Sequence, residues 1–170
     1  MTSAQTRTLA DLDATEAFGR SLAKLLRPGD ALLLDGPLGA GKTALARALL
    51  REACGRPRME VPSPSYTLVQ TYDGIGPGGT VLPIAHFDLW RLHGPGAVEE
   101  LGWDEAREGV VLVEWPDRLG PLAPPDALRL TLEPAPVAAM FAEFDPDADA
   151  PRLITIEGWT DRFPDERAGA

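Results

Sequence analysis

Residues 31–43 read Ala31-Leu32-Leu33-Leu34-Asp35-Gly36-Pro37-Leu38-Gly39-Ala40-Gly41-Lys42-Thr43, and the fold follows from how this stretch is punctuated. Four continuous apolar residues predict a short buried strand. A glycine-rich turn follows, and then Leu45, Leu49 and Leu50 are spaced for one face of a helix from Lys42 to about Cys54, ended by Gly55. Strand, loop and helix in that order is the setting in which Gly-x-x-x-x-Gly-Lys-Thr specifies a phosphate site. The glycines let backbone N–H groups turn inward, and the helix start adds the positive end of its dipole. In that geometry Gly36, Pro37, Leu38, Gly39, Ala40 and Gly41 wrap the phosphates of a nucleotide. Lys42 reaches the β- and γ-oxygens, and the Thr43 hydroxyl ligates Mg²⁺. The expected fold is α/β: a P-loop NTPase-like mixed sheet flanked by helices, in a single domain.

A Mg²⁺ site of this kind also needs a carboxylate, usually at the end of an apolar strand. Two acids qualify. Glu114 follows Val110-Val111-Leu112-Val113, and Asp88 follows Ile84-Ala85-His86-Phe87. Both therefore belong at the carboxyl ends of strands, where ligands bind in open α/β sheets. An acid at a strand end is as often a helix cap or a surface charge. Two of them in one P-loop chain point to at least one on the metal or its waters, and which touches it directly is left open.

Around this centre the chain alternates helix and strand. Asp13 and Glu16 have the spacing of a capping box, before a helical face of Phe18, Leu22, Leu25 and Leu26 that Pro28-Gly29 stops. The segments 66–72 and 80–90 are β-rich and joined by a hairpin-like Asp73–Gly79 connection. A short helix is expected around 97–101. The run 109–115 is the most hydrophobic strand, while 127–133 and 152–158 alternate like half-buried strands near an edge. The domain is expected to span 1–160, with an acidic solvated loop inserted at about 134–151 and a frayed tail at 161–170.

Composition narrows the function. A net charge of −10 argues against tight direct docking on bare nucleic acid, because phosphate contacts need a basic surface. The single cysteine, Cys54, excludes an internal disulfide and a cysteine metal cluster. No apolar run approaches the ~18 residues that span a bilayer, and the N-terminal segment lacks a leader's apolar core, so a soluble cytoplasmic protein with no membrane association is expected. His86 and His93 lie seven residues apart with no third nitrogen or sulfur ligand near, which reads as packing or hydrogen bonding rather than metal. The chain contains no asparagine, so the Asn-Lys-x-Asp element that reads guanine is missing, and Asp73-Gly74-Ile75-Gly76 is a coincidental match to a GTPase pattern. A stand-alone small-molecule kinase is the rival. Such enzymes bring a lid with arginines; here Arg56, Arg58 and Arg91 are present but form no evident lid.

Three further blocks follow the phosphate loop: Ser63–Val69 "SPSYTLV", His86–Leu92 "HFDLWRL" and Leu112–Pro116 "LVEWP". Together with "GPLGAGKT", and from about residue 12 to about 132, the chain closely resembles the bacterial TsaE family, the ATPase of the threonylcarbamoyladenosine tRNA-modification system. The resemblance implies a weak ATPase that uses ATP and Mg²⁺. It would act with the TsaD–TsaB complex, which modifies the adenosine beside the anticodon, and would meet tRNA only indirectly. It implies that Gly36 to Lys42 bind the triphosphate and that Thr43 with Glu114 holds Mg²⁺. Asp88 would support the metal or orient the attacking water, so that Lys42, Asp88 and Glu114 form the catalytic set. Ser65, Tyr66 and Thr67 would form a switch-like segment near the γ-phosphate, with Ser65 where the family usually has threonine. Trp115 would shape the nucleotide pocket or a partner surface, if it does not simply pack on the sheet. Leu12 and Asp13, at the start of the first helix, would approach the base.

Overall fold

The predicted strand at Ala31 becomes β2 (Ala31–Asp35), and the rest of the molecule is arranged about it. In this computed structural model, which describes residues 4–136 and 150–163, Leu32, Leu33 and Leu34 are fully buried. A strand apolar on both faces must be covered on both sides, and parallel neighbours give that arrangement. β2 pairs in parallel with β5 (Val110–Glu114) on one side and β6 (Leu128–Pro134) on the other. β5 pairs in parallel with β4 (Val81–Asp88), which carries β3 (Val69–Ile75) antiparallel at the edge. On the far side β6 pairs antiparallel with β7 (Arg152–Glu157), and β7 with β1 (Gln5–Leu9). The result is a seven-stranded mixed sheet in the order β1-β7-β6-β2-β5-β4-β3, as the sequence predicts in class.

Two layers cover it. On one face α1 (Leu12–Ala23) and α2 (Lys42–Ala53) bury Leu22, Leu45, Leu49 and Leu50 against Leu32, Leu34, Leu112, Leu130 and Ile154. Each such leucine removed from water contributes roughly 1.5–3 kcal/mol. On the other face α3 (Pro95–Glu99), α4 (Trp103–Ala106) and a 3-10 segment at Pro116–Leu122 cover Leu33, Phe87, Val111 and Val113 with Val98, Trp103 and Leu119.

The helix at 97–101 therefore starts two residues earlier, with Pro95 in its first turn, and is followed by a second short one. The capping box is corrected: Asp11, not Asp13, caps α1, its carboxylate accepting the Ala14 N–H at 2.8 Å. The strand expected over 66–72 begins only at Val69, because residues 64–68 close a turn in which the Leu68 N–H reaches the Pro64 carbonyl at 2.7 Å. Most of the proposed acidic loop, residues 137–149, and the end of the tail, 164–170, lie outside the described residues.

Candidate functional site: a phosphate loop over two carboxylates

Strand parity brings the acids to the phosphate loop. On β4, Ile84, His86 and Asp88 share one face; on β5, Val110, Leu112 and Glu114 do. Ile84, Val110 and Leu112 pack in the same core as α2, so Asp88 and Glu114 point to the side from which α2 rises. The β4–β5 register sets Asp88 directly opposite Glu114. Adjacent like charges repel across a strand pair, and both residues are buried, at 5% and 2% exposure. Such a pair needs positive charge and hydrogen-bond donors beside it.

The loop supplies both. Gly41 adopts φ 103°, a left-handed conformation that glycine takes without the usual penalty, and α2 begins at the next residue. Gly36, at φ 133°, lies so close to β6 that a side chain there would fall on the Leu132 carbonyl. At the first turn of α2, the Thr43 hydroxyl donates to Glu114 Oε1 at 3.0 Å. The Lys42 ammonium, 5% exposed, donates to the carbonyls of Gly36 at 2.5 Å and Pro37 at 2.9 Å. It also lies 4.0 Å from the centre of the Trp115 ring. Burial pushes the Lys42 pKa below its ordinary 10.5, against the opposing pull of Glu114, Asp35 and Asp88. A buried ammonium whose close partners are carbonyls and an indole is suited to an incoming anion.

Trp115 is held there by its backbone. Its φ of 60° is left-handed, a conformation that costs a non-glycine residue roughly 1–2 kcal/mol. The turn directs the indole over Lys42 and against Trp90, ring centres 4.3 Å apart. Trp115 thus lines the cleft and packs against the α3/α4-side core at once.

Asp88 is engaged by a different set of groups. Its Oδ2 accepts the Ser65 hydroxyl at 3.0 Å, and its Oδ1 accepts the Trp90 N–H at 3.0 Å. The hydroxyls of Ser65 and Ser63 are 2.8 Å apart. The Leu68 carbonyl accepts the Asp88 N–H at 2.9 Å, which ties the 64–68 turn to the end of β4. The cleft, about 290 Å³, is lined by the loop from Leu38 to Ala44 together with Ser63, Ser65, Asp88, Glu114 and Trp115. This donor set fits a nucleoside triphosphate with Mg²⁺: loop glycines in left-handed conformation, a buried ammonium, and a hydroxyl already paired with a carboxylate.

Other expected residues lie around the rim or away from it. Tyr66 is 82% exposed, with the Arg91 guanidinium 4.4 Å over its ring, and Thr67 is exposed beside it. Leu12 and Asp13 are exposed at the start of α1 and are not among the cleft-lining residues, although Thr15 of the same turn approaches Gly41. Arg56 and Arg58 are exposed beyond the far end of α2. His86 is fully buried and bonds to Glu114, its Nε2 3.3 Å from Oε2. Cys54 is buried, and that burial raises its thiol pKa. Three contributors had no assigned role in the sequence reading. Ser63 and Trp90 fell inside the resemblance blocks without a position of their own. Arg152, whose Nε donates to the Ala40 carbonyl of the phosphate loop at 3.0 Å, is 112 residues away in sequence and carries no motif.

Residues 9–139 match the family described as threonylcarbamoyl adenosine biosynthesis protein TsaE. Among curated relatives, the tRNA threonylcarbamoyladenosine biosynthesis protein TsaE of Rickettsia conorii is 36% identical over 74% of this chain and 69% of its own length. The protein of that name in Streptomyces coelicolor is 36% identical over 86% of this chain and 91% of its own. Among solved structures, Bacillus subtilis YdiB superposes with a TM-score of 0.69 at 27% identity, covering 96% of this chain and 90% of its own. Among the described residues no helix is long and apolar enough to cross a membrane.

Proposed function

Because this chain belongs to the TsaE family, and so to tRNA threonylcarbamoyladenosine biosynthesis, we propose that it binds ATP with Mg²⁺ in the cleft beneath α2. It hydrolyses ATP slowly alone and faster with the TsaD–TsaB complex, meeting tRNA only through those partners. The observation that carries this reading is the contact between Thr43 and Glu114 at the foot of the phosphate loop, with Asp88 in register beside it.

In this reading the backbone amides of Leu38 to Gly41 and the start of α2 bind the phosphates. The Lys42 ammonium exchanges its two carbonyl partners for phosphate oxygens. Thr43 and Glu114 hold Mg²⁺, which when bound neutralises charge on the β- and γ-oxygens. Asp88, fixed by Ser65 and Trp90, offers carboxylate oxygens to orient the attacking water in an in-line displacement. The cleft lining contains no arginine among the described residues, which fits a slow intrinsic rate. An arginine supplied by a partner raises such rates by about 10³–10⁵.

The test is phosphate release from ATP by the protein alone and with TsaD–TsaB added, with Lys42→Ala as control. Slow release that rises several-fold with the partners and vanishes in the variant supports the reading. Turnover that appears only with a small-molecule acceptor, with phosphate left on that acceptor, would replace it with a kinase.

A further inference from the structure

Directly behind the cleft-lining Glu114, one buried side-chain atom lacks a partner among the described residues: Nδ1 of His86, a residue 0% exposed. Buried polar atoms are nearly always paired, and an orphan in a folded protein asks for a reason. An apolar residue would suit this interior position of β4, between Ala85 and Phe87, at no such cost. The other ring nitrogen does have a partner: Nε2 lies 3.3 Å from Glu114 Oε2. The strand register makes the contact diagonal, since His86 is paired with Leu112 and Glu114 lies two residues further along β5.

We infer that His86 is a positioning residue, whose Nε2–H holds Glu114 Oε2 so that Oε1 is turned toward Thr43 and the metal position. The inference rests on the proposed ATP–Mg²⁺ site and deepens it. Glu114 has two oxygens and two partners: Thr43 takes Oε1 at 3.0 Å, and His86 takes Oε2. A carboxylate pinned at both ends has one rotamer available, and partners behind a metal ligand typically govern affinity by 10–100-fold. The geometry requires the proton on Nε2, and the unpartnered Nδ1 is what that arrangement leaves behind.

The test measures Mn²⁺ binding by electron paramagnetic resonance, with the non-hydrolysable analogue adenylyl imidodiphosphate present, in the wild-type chain and in three variants. His86→Gln sets an amide N–H where Nε2 stood, His86→Asn sets one where Nδ1 stood, and His86→Phe keeps the ring shape without a donor. The expected result is a Mn²⁺ dissociation constant at least 10-fold higher in the Phe and Asn variants and within about threefold of wild type in the Gln variant. Metal-free affinity for the analogue, set by the phosphate loop, stays unchanged in all of them. A residue that merely fills the core would alter thermal stability in the Phe variant and leave Mn²⁺ affinity alone, which overturns the inference. Gln behaving as Asn overturns it as well, and that comparison survives if the Phe variant does not fold. Wild-type protein that binds no Mn²⁺ with the analogue present would instead sink the ATP–Mg²⁺ site itself.

Discussion

Glu114 and Asp88 stand side by side in register yet are held by different partners, and the partners divide their work. Glu114 faces the Thr43 hydroxyl, whereas Asp88 is fixed by Ser65 of the 64–68 turn and by the Trp90 amide. Glu114→Gln is therefore expected to raise the Mg²⁺ concentration needed for half-maximal ATP binding. Asp88→Asn should leave Mg²⁺–nucleotide affinity nearly intact while phosphate release falls about 100-fold or more. Isothermal titration beside a turnover assay separates the two, and equal losses of binding in both variants would refute the division. Lys42 makes a second case. Since burial lowers its pKa below 10.5, the folded chain holds that proton less firmly than the unfolded chain. Charged Lys42 is then a net cost to the nucleotide-free fold at neutral pH. The cost is relieved only as pH rises through the lowered folded-state pKa toward 10.5. Lys42→Met should accordingly abolish nucleotide binding while its melting temperature at pH 7 stays equal to or above wild type; a clear fall would show that the ammonium stabilises the free protein. The loop, Thr43 and both acids were legible in the sequence because each sits at a fixed offset from an apolar run. The contacts of Ser65 and Trp90 with Asp88, and of His86 with Glu114, were not, since a register and a side-chain direction decide them.

At the scale of elements, α1 and α2 approach each other closely at Gly19. A Cβ at Gly19 would lie 2.6 Å from the Leu45 carbonyl and 3.2 Å from Ala48 Cβ. The helices meet there backbone to backbone, which fixes the angle at which α2 delivers Lys42 and Thr43 to the cleft. Two effects oppose each other in Gly19→Ala. Alanine gains about 1 kcal/mol of helix propensity, while overpacking costs typically 1–3 kcal/mol. A backbone oxygen cannot rotate away as a side chain could, so overpacking should win. The expected outcome is a lower denaturation midpoint with unchanged slope, a net loss of about 1 kcal/mol. A stabilised variant would mean that the helices separate freely. The need for glycine at position 19 comes from the other helix, so no local pattern in the sequence marks it. The Asp13–Glu16 pattern misled for a related reason: Asp11 sits two residues earlier with extended backbone, as a cap requires, and spacing alone does not distinguish the two. β1 went unread because Gln5–Leu9 is mostly polar and becomes a strand through pairing with β7.

At the scale of the whole molecule, the family match ends at residue 139, but the sheet does not. β7 lies between β6 and β1 and buries Ile154 and Ile156, and the segment after it adds Trp159 and Phe163 to the same core. Four such side chains are together worth on the order of 6–12 kcal/mol, comparable to the 5–15 kcal/mol by which a whole domain is stable. The segment also carries Arg162, bonded to both oxygens of Asp30 at 2.6 and 3.0 Å and stacked 4.2 Å over Trp159. Arg152 reaches from its first strand residue to the Ala40 carbonyl of the phosphate loop. The segment beyond the family match thus braces the phosphate loop inside it. A chain ending at residue 139 keeps every motif residue but opens one edge of β6 and leaves β1 without a strand to pair with. It is expected to show no cooperative unfolding transition by circular dichroism and no binding of ATP. Should that truncated chain melt cooperatively and bind ATP as the full chain does, the phosphate loop would be held by β2, β5 and β6 alone, and the contacts from Arg152 and Arg162 would be incidental to it.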